Sequence, residues 1–312
     1  NDPKAYDTYI AEHPFSPEEA TLQVSANILN QATLKEQYDR TKVHNLTALG
    51  VPGELVPLNG KVNFQPNWEL KPILKFPHRK GDDITGCVIV YEKPFTQNGD
   101  VPDGLYFICH DPYAQDQATS SSLGAAYVLK RPNKYSQPDD MIVASYVGRP
   151  ATQDTYNYTL FNLATFYNAK IGFENDRGEI IPFAKRHKLM QQLLPEVEIF
   201  DKTDNVRIRK LGRSYGMSMG SKERKGQAEI YLRDWLKTPR GRGESGEIKL
   251  NLHQIYDIAL IDELVKYNRR GNFDRVSALM VGMFHLKDLH SREVKVVEQK
   301  SNNTFFDRAF FS

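Results

Sequence analysis

The feature that most constrains the fold is a pair of short apolar runs, Leu105–Cys109 and Leu123–Leu129, separated by a polar, Ser-rich stretch. Runs of this length, rich in aromatic and aliphatic residues, predict buried strands. Asp111 and Pro112 end the first run, because proline cannot continue a central strand. The two strands would form a hairpin, with the Asp111 carboxylate at the rim of the sheet. The alternative is that Asp111 only ends the strand and hydrogen-bonds its own turn.

The elements that follow predict a mixed sheet. Met141–Val147 is a third strand that completes an antiparallel meander. Thr152–Asn168 has an apolar stripe at helical spacing, and Lys170–Phe173 is a strand, so this strand should lie parallel to its neighbour after a crossover. The remaining predicted helices are Pro17–Leu22, Ala26–Tyr38, Phe183–Leu194, Ser221–Leu236, Ile255–Tyr267 and one beginning at Asp274. Further short strands are predicted at Val62–Phe64, Val88–Tyr91, Val197–Phe200 and Glu247–Leu252.

The composition predicts a soluble globular protein organised around one large domain. Of the 312 residues, 40% are hydrophobic and 26% are charged, which excludes a disordered chain. We predict an N-terminal helix and wrapping or linker extension over residues 1–80, and a single domain over 81–312. Cys87 and Cys109 lie in apolar runs and predict reduced core thiols. No apolar run approaches membrane-spanning length, and the first residues lack a signal-peptide core.

Basic residues are concentrated in one segment, from Asn205 to Leu250. It carries a net charge of +7, from twelve Lys and Arg residues against five Asp and Glu residues, whereas the whole chain is +2. A basic segment on an acidic body is expected of a protein that binds a polyanion. The alternative is a solvated, salt-bridged surface.

Three acids each lie at the end of an apolar element: Asp111, Glu174 and Asp274. Three carboxylates in one place repel each other, so such a cluster requires cations, and an oxygen-only site suits Mg²⁺ or Mn²⁺. Two such ions would activate water and stabilise the leaving oxygen of a phosphodiester. The alternative is that Glu174 only enters a turn and that Asp274 is only an N-terminal helix carboxylate favoured by the helix dipole. Asp116 is either an alternate metal ligand or the cap of a turn. Because side chains alternate along a strand, His110 should point to the opposite face from Asp111 and act as a packing residue.

Several other chemistries lack their motifs. The sequence has no glycine-rich G-x-x-x-x-G-K-[ST] phosphate loop and no G-x-S-x-G nucleophile elbow. The cysteines and histidines have neither zinc spacing nor the spacing of a nucleophilic pair.

The motifs, in their order, resemble the C-terminal nuclease domain of the large terminase subunit of tailed bacteriophages. The similar segments are PFSPEEA, YFICHDPYAQDQATSSSLGAAYV, IGFENDRG, SYGMSMGSKERK and NFDRVSALMVGMF. The resemblance implies an RNase H-like α/β fold: a mixed sheet with an antiparallel meander and then parallel strands, flanked by helices. One departure is that Phe273, where the family commonly has a second acid, precedes Asp274.

The resemblance implies a divalent-metal-dependent DNA endonuclease that cuts concatemeric double-stranded viral DNA during genome packaging, in the cytoplasm of the infected bacterial host. Asp111 would bridge two Mg²⁺ or Mn²⁺ ions, and Glu174 and Asp274 would complete the ligand shells. The implied partners are an ATPase domain of the same polypeptide, the portal and the small terminase subunit. The candidate DNA-binding residues are Arg207, Arg209, Lys210, Arg213, Lys222, Arg224, Lys225, Arg240 and Arg242.

Two alternatives stay open. One is another RNase H-like nuclease, such as a junction resolvase or transposase, which would prefer branched or transposon-end DNA. The other is a docking module that binds DNA or the portal without cleaving.

Overall fold

The fold is an α/β sandwich around one mixed sheet. The computed structural model describes residues 28–79, 81–113, 122–176, 179–197, 215–243, 246–269 and 271–289. Its elements, in chain order, are α1 (Gln31–Val43), β1 (Val51–Leu58), β2 (Lys61–Pro66), β3 (Cys87–Val90), β4 (Tyr106–Asp111), β5 (Gly124–Lys130), β6 (Met141–Gly148), α2 (Gln153–Phe166), β7 (Lys170–Phe173), α3 (Ile180–Arg186), α4 (Lys222–Leu236), β8 (Pro239–Arg242), β9 (Ile248–Leu250), α5 (Ile258–Lys266) and α6 (274–289).

Within these described ranges, seven strands form the central sheet in the order β2-β1-β3-β6-β5-β4-β7. Every neighbouring pair is antiparallel except β4 and β7, which are parallel, with Phe107 opposite Lys170. The predicted meander and the parallel strand after the crossover helix are confirmed, and so is a mixed sheet flanked by helices. The β1–β2 hairpin joins the same sheet, so the strands of residues 51–66 pair across the boundary predicted at residue 80, and that domain division stays a prediction.

The central strands of the sheet are buried on both faces because their residues alternate between two apolar layers. Phe107 and Cys109 of β4 belong to the core cluster under α4, α5 and α6. Tyr106 and Ile108 belong to the cluster under α2 and α3. Strands covered on both sides read as continuous apolar runs, which explains the runs in the sequence. Cys87 and Cys109 are buried and free, as predicted.

The helices begin at local capping residues. The Thr152 hydroxyl accepts from the Thr155 N–H at the start of α2, and Ser221 accepts from Arg224 at the start of α4. The Asp257 carboxylate accepts from two N–H groups of α5, which explains why that helix begins later than predicted. None of the described helices is long and apolar enough to cross a bilayer.

The helix predicted over Phe183–Leu194 is wrong in its bounds. The observed α3 ends at Arg186, and the chain continues through a short 3₁₀ turn at Met190–Gln192. The cause is local, because Lys188 has a φ of 58°, in the left-handed region that ends a right-handed helix. Val197 is not in a strand, and the rest of the strand predicted there lies outside the described residues.

Candidate functional site

The ends of β4 and β7 place Asp111 beside Glu174. The two strands are parallel and in register, with His110 opposite Phe173. One residue further, the Glu174 N–H donates to the His110 carbonyl oxygen at 3.1 Å. In-register neighbours on adjacent strands are separated by about 5 Å. The backbone therefore holds these two acids side by side at one rim of the sheet.

Both acids extend from the face of the sheet that α6 covers. Gly282 of α6 packs so closely on Cys109 that an added Cβ would lie 2.6 Å from the Cys109 Cβ. Gly172 of β7 lies equally close against His285, also on α6. Asp111 follows Cys109 by two residues, and Glu174 follows Gly172 by two, so each has the same side-chain direction as its predecessor.

Asp274, the first residue of α6, is held over the start of β5 at the same rim. The Ser122 hydroxyl donates to its Oδ1 at 2.7 Å, and the Leu123 N–H donates to its Oδ2, also at 2.7 Å. The Asn272 side chain donates to Oδ2 at 3.2 Å. Because Ala125 of β5 pairs with Asp111, these contacts bring Asp274 close to the end of β4.

The electrostatics agree with this proximity. Burial raises the pKa of Asp274 above its usual value, although the bonds from Leu123 and Ser122 oppose the shift. Burial also raises the pKa of the Tyr156 phenol well above its usual range, and the charges of both Asp111 and Asp274 raise it further. One buried phenol therefore experiences both carboxylates.

A network of buried charged groups lies next to Asp274. Arg275, the next residue, is buried, and its Nη1 donates to the Glu263 carboxylate at 2.7 Å. The other Glu263 oxygen accepts from the Arg275 backbone N–H at 2.9 Å. Arg275 Nη2 donates to the Ile73 carbonyl oxygen at 2.7 Å. The start of α6 is thereby tied both to α5 and to the segment before β3.

The donor set fits a hard divalent cation. A carboxylate offers about four lone-pair positions, and the contacts of Asp274 use three, which leaves one on Oδ1 for a metal. Asp111 and Glu174 supply further oxygens of the kind that Mg²⁺ and Mn²⁺ prefer. Across the described residues, no set of three His, Cys, Asp and Glu side chains is already arranged to hold an ion. The side chain of Glu174 is the one partly exposed of the three.

Asp116 lies outside the described residues. His110 is buried on the opposite face and stacks on the Tyr156 ring at a centroid distance of 5.4 Å, as a packing residue should. Burial lowers its pKa to about 4, so it is neutral at physiological pH.

The described part of the basic segment is divided between two ends of the sheet. Lys222, Arg224 and Lys225 lie in the first turn of α4, just after a turn that Asp176 holds by accepting from Ser218 Oγ and Met219 N at 2.8 and 3.0 Å. Since Met217 pairs with Glu174, this turn lies at the acidic rim.

Arg240 and Arg242 lie on the β8–β9 hairpin at the other end. Arg240 forms ion pairs with Asp139 and Asp140, in the connection between β5 and β6. Its role is therefore structural, because these pairs join the hairpin to that connection. Arg242 is exposed. The other four candidates for DNA binding, Arg207, Arg209, Lys210 and Arg213, lie outside the described residues.

Sequence reasoning missed three residues at this rim: Ser122, Asp176 and Arg149. Ser122 and Asp274 are 152 residues apart, so no local pattern links them. Asp176 had a detectable signal, because it follows Glu174 by two residues and so shares its face at the end of β7. Arg149 had one too, as the first charged residue after the third strand of the meander.

Neither the comparison with protein-family models nor that with curated proteins gave a match. Among solved structures, the chain is similar to the large terminase nuclease of thermophilic phage G20c with bound magnesium. That likeness has a TM-score of 0.40 and 15% identity, and covers 63% of this chain and 86% of that one. The same nuclease with bound zinc gives 0.39 and 15%, covering 62% and 85%. Both structures are of a nuclease of the class that the sequence resembles.

Proposed function

We propose that this chain is a divalent-metal-dependent endonuclease that hydrolyses phosphodiester bonds of duplex DNA. The observation that supports it is the position of Asp111, Glu174 and Asp274, which come from three separate elements to one rim and one face of the sheet. Acids that only end a strand, enter a turn or cap a helix would have no reason to share a face. Burial of Asp274 also carries a cost in desolvation that a bound cation would offset.

The metal would be Mg²⁺ or Mn²⁺, with Asp111 shared between two ions. Such a pair would supply an activated water and charge stabilisation for both the attacking and the leaving oxygen. Glu174 and Asp274 would hold one ion each. Ser122 and the Leu123 N–H would keep Asp274 deprotonated and oriented.

The DNA would reach the rim along the first turn of α4. Lys222 and Lys225 are exposed there, next to the turn that pairs with Glu174. Contacts of lysine with phosphates are independent of sequence and weaken with salt. The sequence resemblance supports the finer proposal that the substrate is concatemeric viral DNA. It also supports an ATPase domain of the same polypeptide, the portal and the small terminase subunit as partners, in the cytoplasm of an infected bacterium.

The direct test is cleavage of supercoiled plasmid with Mg²⁺ or Mn²⁺ by the wild-type protein and by Asp111→Asn. Asparagine keeps the size of the side chain and removes its charge. We expect loss of cleavage in this variant, and full cleavage in Asp234→Asn, whose carboxylate is exposed on α4. Undiminished cleavage by Asp111→Asn would overturn the metal assignment.

The other outcomes separate the alternatives. A wild-type protein that binds duplex but cleaves with no divalent metal would be a docking module for DNA or the portal. A marked preference for branched or transposon-end DNA over plain duplex would indicate a junction resolvase or a transposase.

A further inference from the structure

Arg149 is a cation at the acidic rim. It directly follows β6, which pairs with β5 so that Gly148 lies opposite Gly124. Because Ala125 of β5 is the partner of Asp111, Arg149 lies at the same end of the sheet as the three acids. It belongs neither to the basic segment nor to the carboxylate set.

Two contacts fix the guanidinium between the elements that carry the acids. Its Nη1 donates to the Ser122 carbonyl oxygen at 3.1 Å, and the Ser122 hydroxyl is the group that binds Asp274. Its Cζ lies over the Tyr113 ring, 5.1 Å from the ring centroid, and Tyr113 follows Asp111 by two residues. Arg149 is therefore oriented by one group on the Asp111 side and one on the Asp274 side.

The groups that hold Arg149 are buried. The Tyr113 ring packs edge-on against Tyr156, and the Tyr113 backbone carbonyl accepts from the Gln153 side chain at 2.9 Å. Ser122 is buried too, whereas Arg149 itself is partly exposed. A charged group that is oriented by buried neighbours and reaches solvent is arranged to meet a ligand, since its orientation before binding reduces the entropy lost on binding.

We propose that Arg149 contacts the phosphate undergoing hydrolysis and stabilises the charge that builds up on its non-bridging oxygens. In that step, water adds to phosphorus while the bond to the leaving sugar oxygen breaks, and a proton lost by the water is balanced by protonation of that oxygen. The planar fork of arginine matches two phosphate oxygens at once, which a lysine cannot do. This inference rests on the proposed nuclease function and adds a substrate-contacting residue to its site.

The test compares Arg149→Met, which removes the charge, with Arg149→Lys, which keeps the charge and removes the fork. Lys134→Met is the control, because Lys134 is exposed in the β5–β6 connection at the opposite end of the sheet. For each protein, kcat and KM are measured on a duplex with Mg²⁺ or Mn²⁺. Duplex affinity is measured separately by fluorescence anisotropy in Ca²⁺, and metal affinity by calorimetry.

We expect Arg149→Met to lower kcat by about 10²-fold or more, as loss of a donor to a developing negative charge does. Duplex affinity and metal affinity should change by less than about 10-fold, which is one phosphate contact or less. The kcat of Arg149→Lys should lie between those of Arg149→Met and the wild type, and the kcat of Lys134→Met should equal that of the wild type. If Arg149→Met does not fold, the Lys variant alone decides, with a kcat at least several-fold below wild type as the expected result.

Two results would overturn the inference. A folded Arg149→Met protein with wild-type kcat would remove the substrate contact. A loss confined to metal affinity, with kcat at saturating metal unchanged, would make Arg149 only a support for Ser122 and Asp274. If the wild type cleaves and Asp111→Asn does not, either result would contradict this inference alone. Absence of cleavage by the wild type would overturn the proposed function and this inference together.

Discussion

The Ser122 hydroxyl stabilises the ionised form of Asp274, so its removal by Ser122→Ala should move the pH dependence of cleavage. The bond is 2.7 Å long and is made to a carboxylate that is 7% exposed. A hydrogen bond to a charged group contributes about 1.5–3 kcal/mol. Loss of the bond should therefore raise the pKa of Asp274 further, beyond the rise that burial already causes.

The direction of the pH shift follows because the charged form of the Asp274 carboxyl is the form that binds a cation. As pH falls through the raised pKa, Asp274 takes up a proton and the site loses a ligand. The acid limb of metal-dependent cleavage should lie at higher pH in Ser122→Ala than in the wild type. At alkaline pH the two rates should converge, because both carboxylates are then ionised.

Folding stability should show the same shift with its own sign. A carboxyl whose pKa is raised on folding binds more protons in the folded state, so its contribution to stability falls as pH rises through the interval between the two pKa values. Ser122→Ala widens that interval. The variant should lose about 1.5–3 kcal/mol of unfolding free energy at neutral pH, and less in acid.

The assays are initial cleavage rates against pH at saturating duplex and fixed Mg²⁺, and urea unfolding at matched pH values. The backbone N–H of Leu123 makes the other 2.7 Å bond to Asp274, and the substitution leaves that bond in place. The difference between variant and wild type therefore reports the loss of the Ser122 bond. An acid limb within 0.3 pH units of wild type, in a folded protein, would refute the assignment of Asp274 as a cation ligand; that threshold corresponds to about 0.4 kcal/mol.

Three further changes test the packing around the site. Glu263→Gln should lower the unfolding free energy by about 3–5 kcal/mol in urea titrations, because it leaves Arg275 charged and buried without its close ion-pair partner, while Asp257 lies 3.9 Å away; a loss under 1 kcal/mol would contradict this. Gly124→Ala should cost about 1–3 kcal/mol by thermal unfolding, because the new Cβ would lie 2.6 Å from the Tyr156 ring; an unchanged melting temperature would show that the ring moves aside. Gly226→Ala, in α4, should instead stabilise the protein by about 0.5–1 kcal/mol in the same assay, because the new Cβ would lie 3.7 Å from its nearest neighbour, an ordinary contact; a loss of stability would contradict that reasoning.

The elements of the site were predictable where chemistry is local. Asp111 precedes a proline at the end of an apolar strand, and Asp274 begins an apolar helix, so each position follows from its own neighbours. Alternation along β4 assigned His110 to the opposite face, and the structure confirms it. That the acids share a face required only the parallel pairing of β7 with β4, which the crossover helix predicted.

Contacts between distant parts of the chain were beyond prediction. The bond from Ser122 to Asp274 depends on how α6 lies over β5, and nothing near either residue encodes it. The role of Arg240 was hidden in the same way, because its partner Asp140 is 100 residues away. A basic residue in a basic segment reads as a DNA contact until the fold supplies a buried acid.

The β1 strand was not among the predicted strands, because it contains Pro52 and Pro57 and proline removes a ladder hydrogen bond. In the structure, β1 pairs with β3 over Val51–Gly53 and with β2 over Gly53–Leu58. Pro57 therefore lies where the strand has a neighbour on one side alone, which is where a strand tolerates proline. Pro52 lies opposite Ile89 of β3, and its carbonyl oxygen accepts from the Asn67 N–H at 2.9 Å, just beyond β2.

The most direct measurement is a crystal structure of the protein soaked in Mn²⁺, with anomalous scattering used to locate the ions. We expect anomalous peaks at the rim, bound by carboxylate oxygens of Asp111, Glu174 and Asp274, with Glu174 moved toward the other two. A rim without a peak at millimolar Mn²⁺, or a peak held by other residues while these three acids keep their present contacts, would contradict the account.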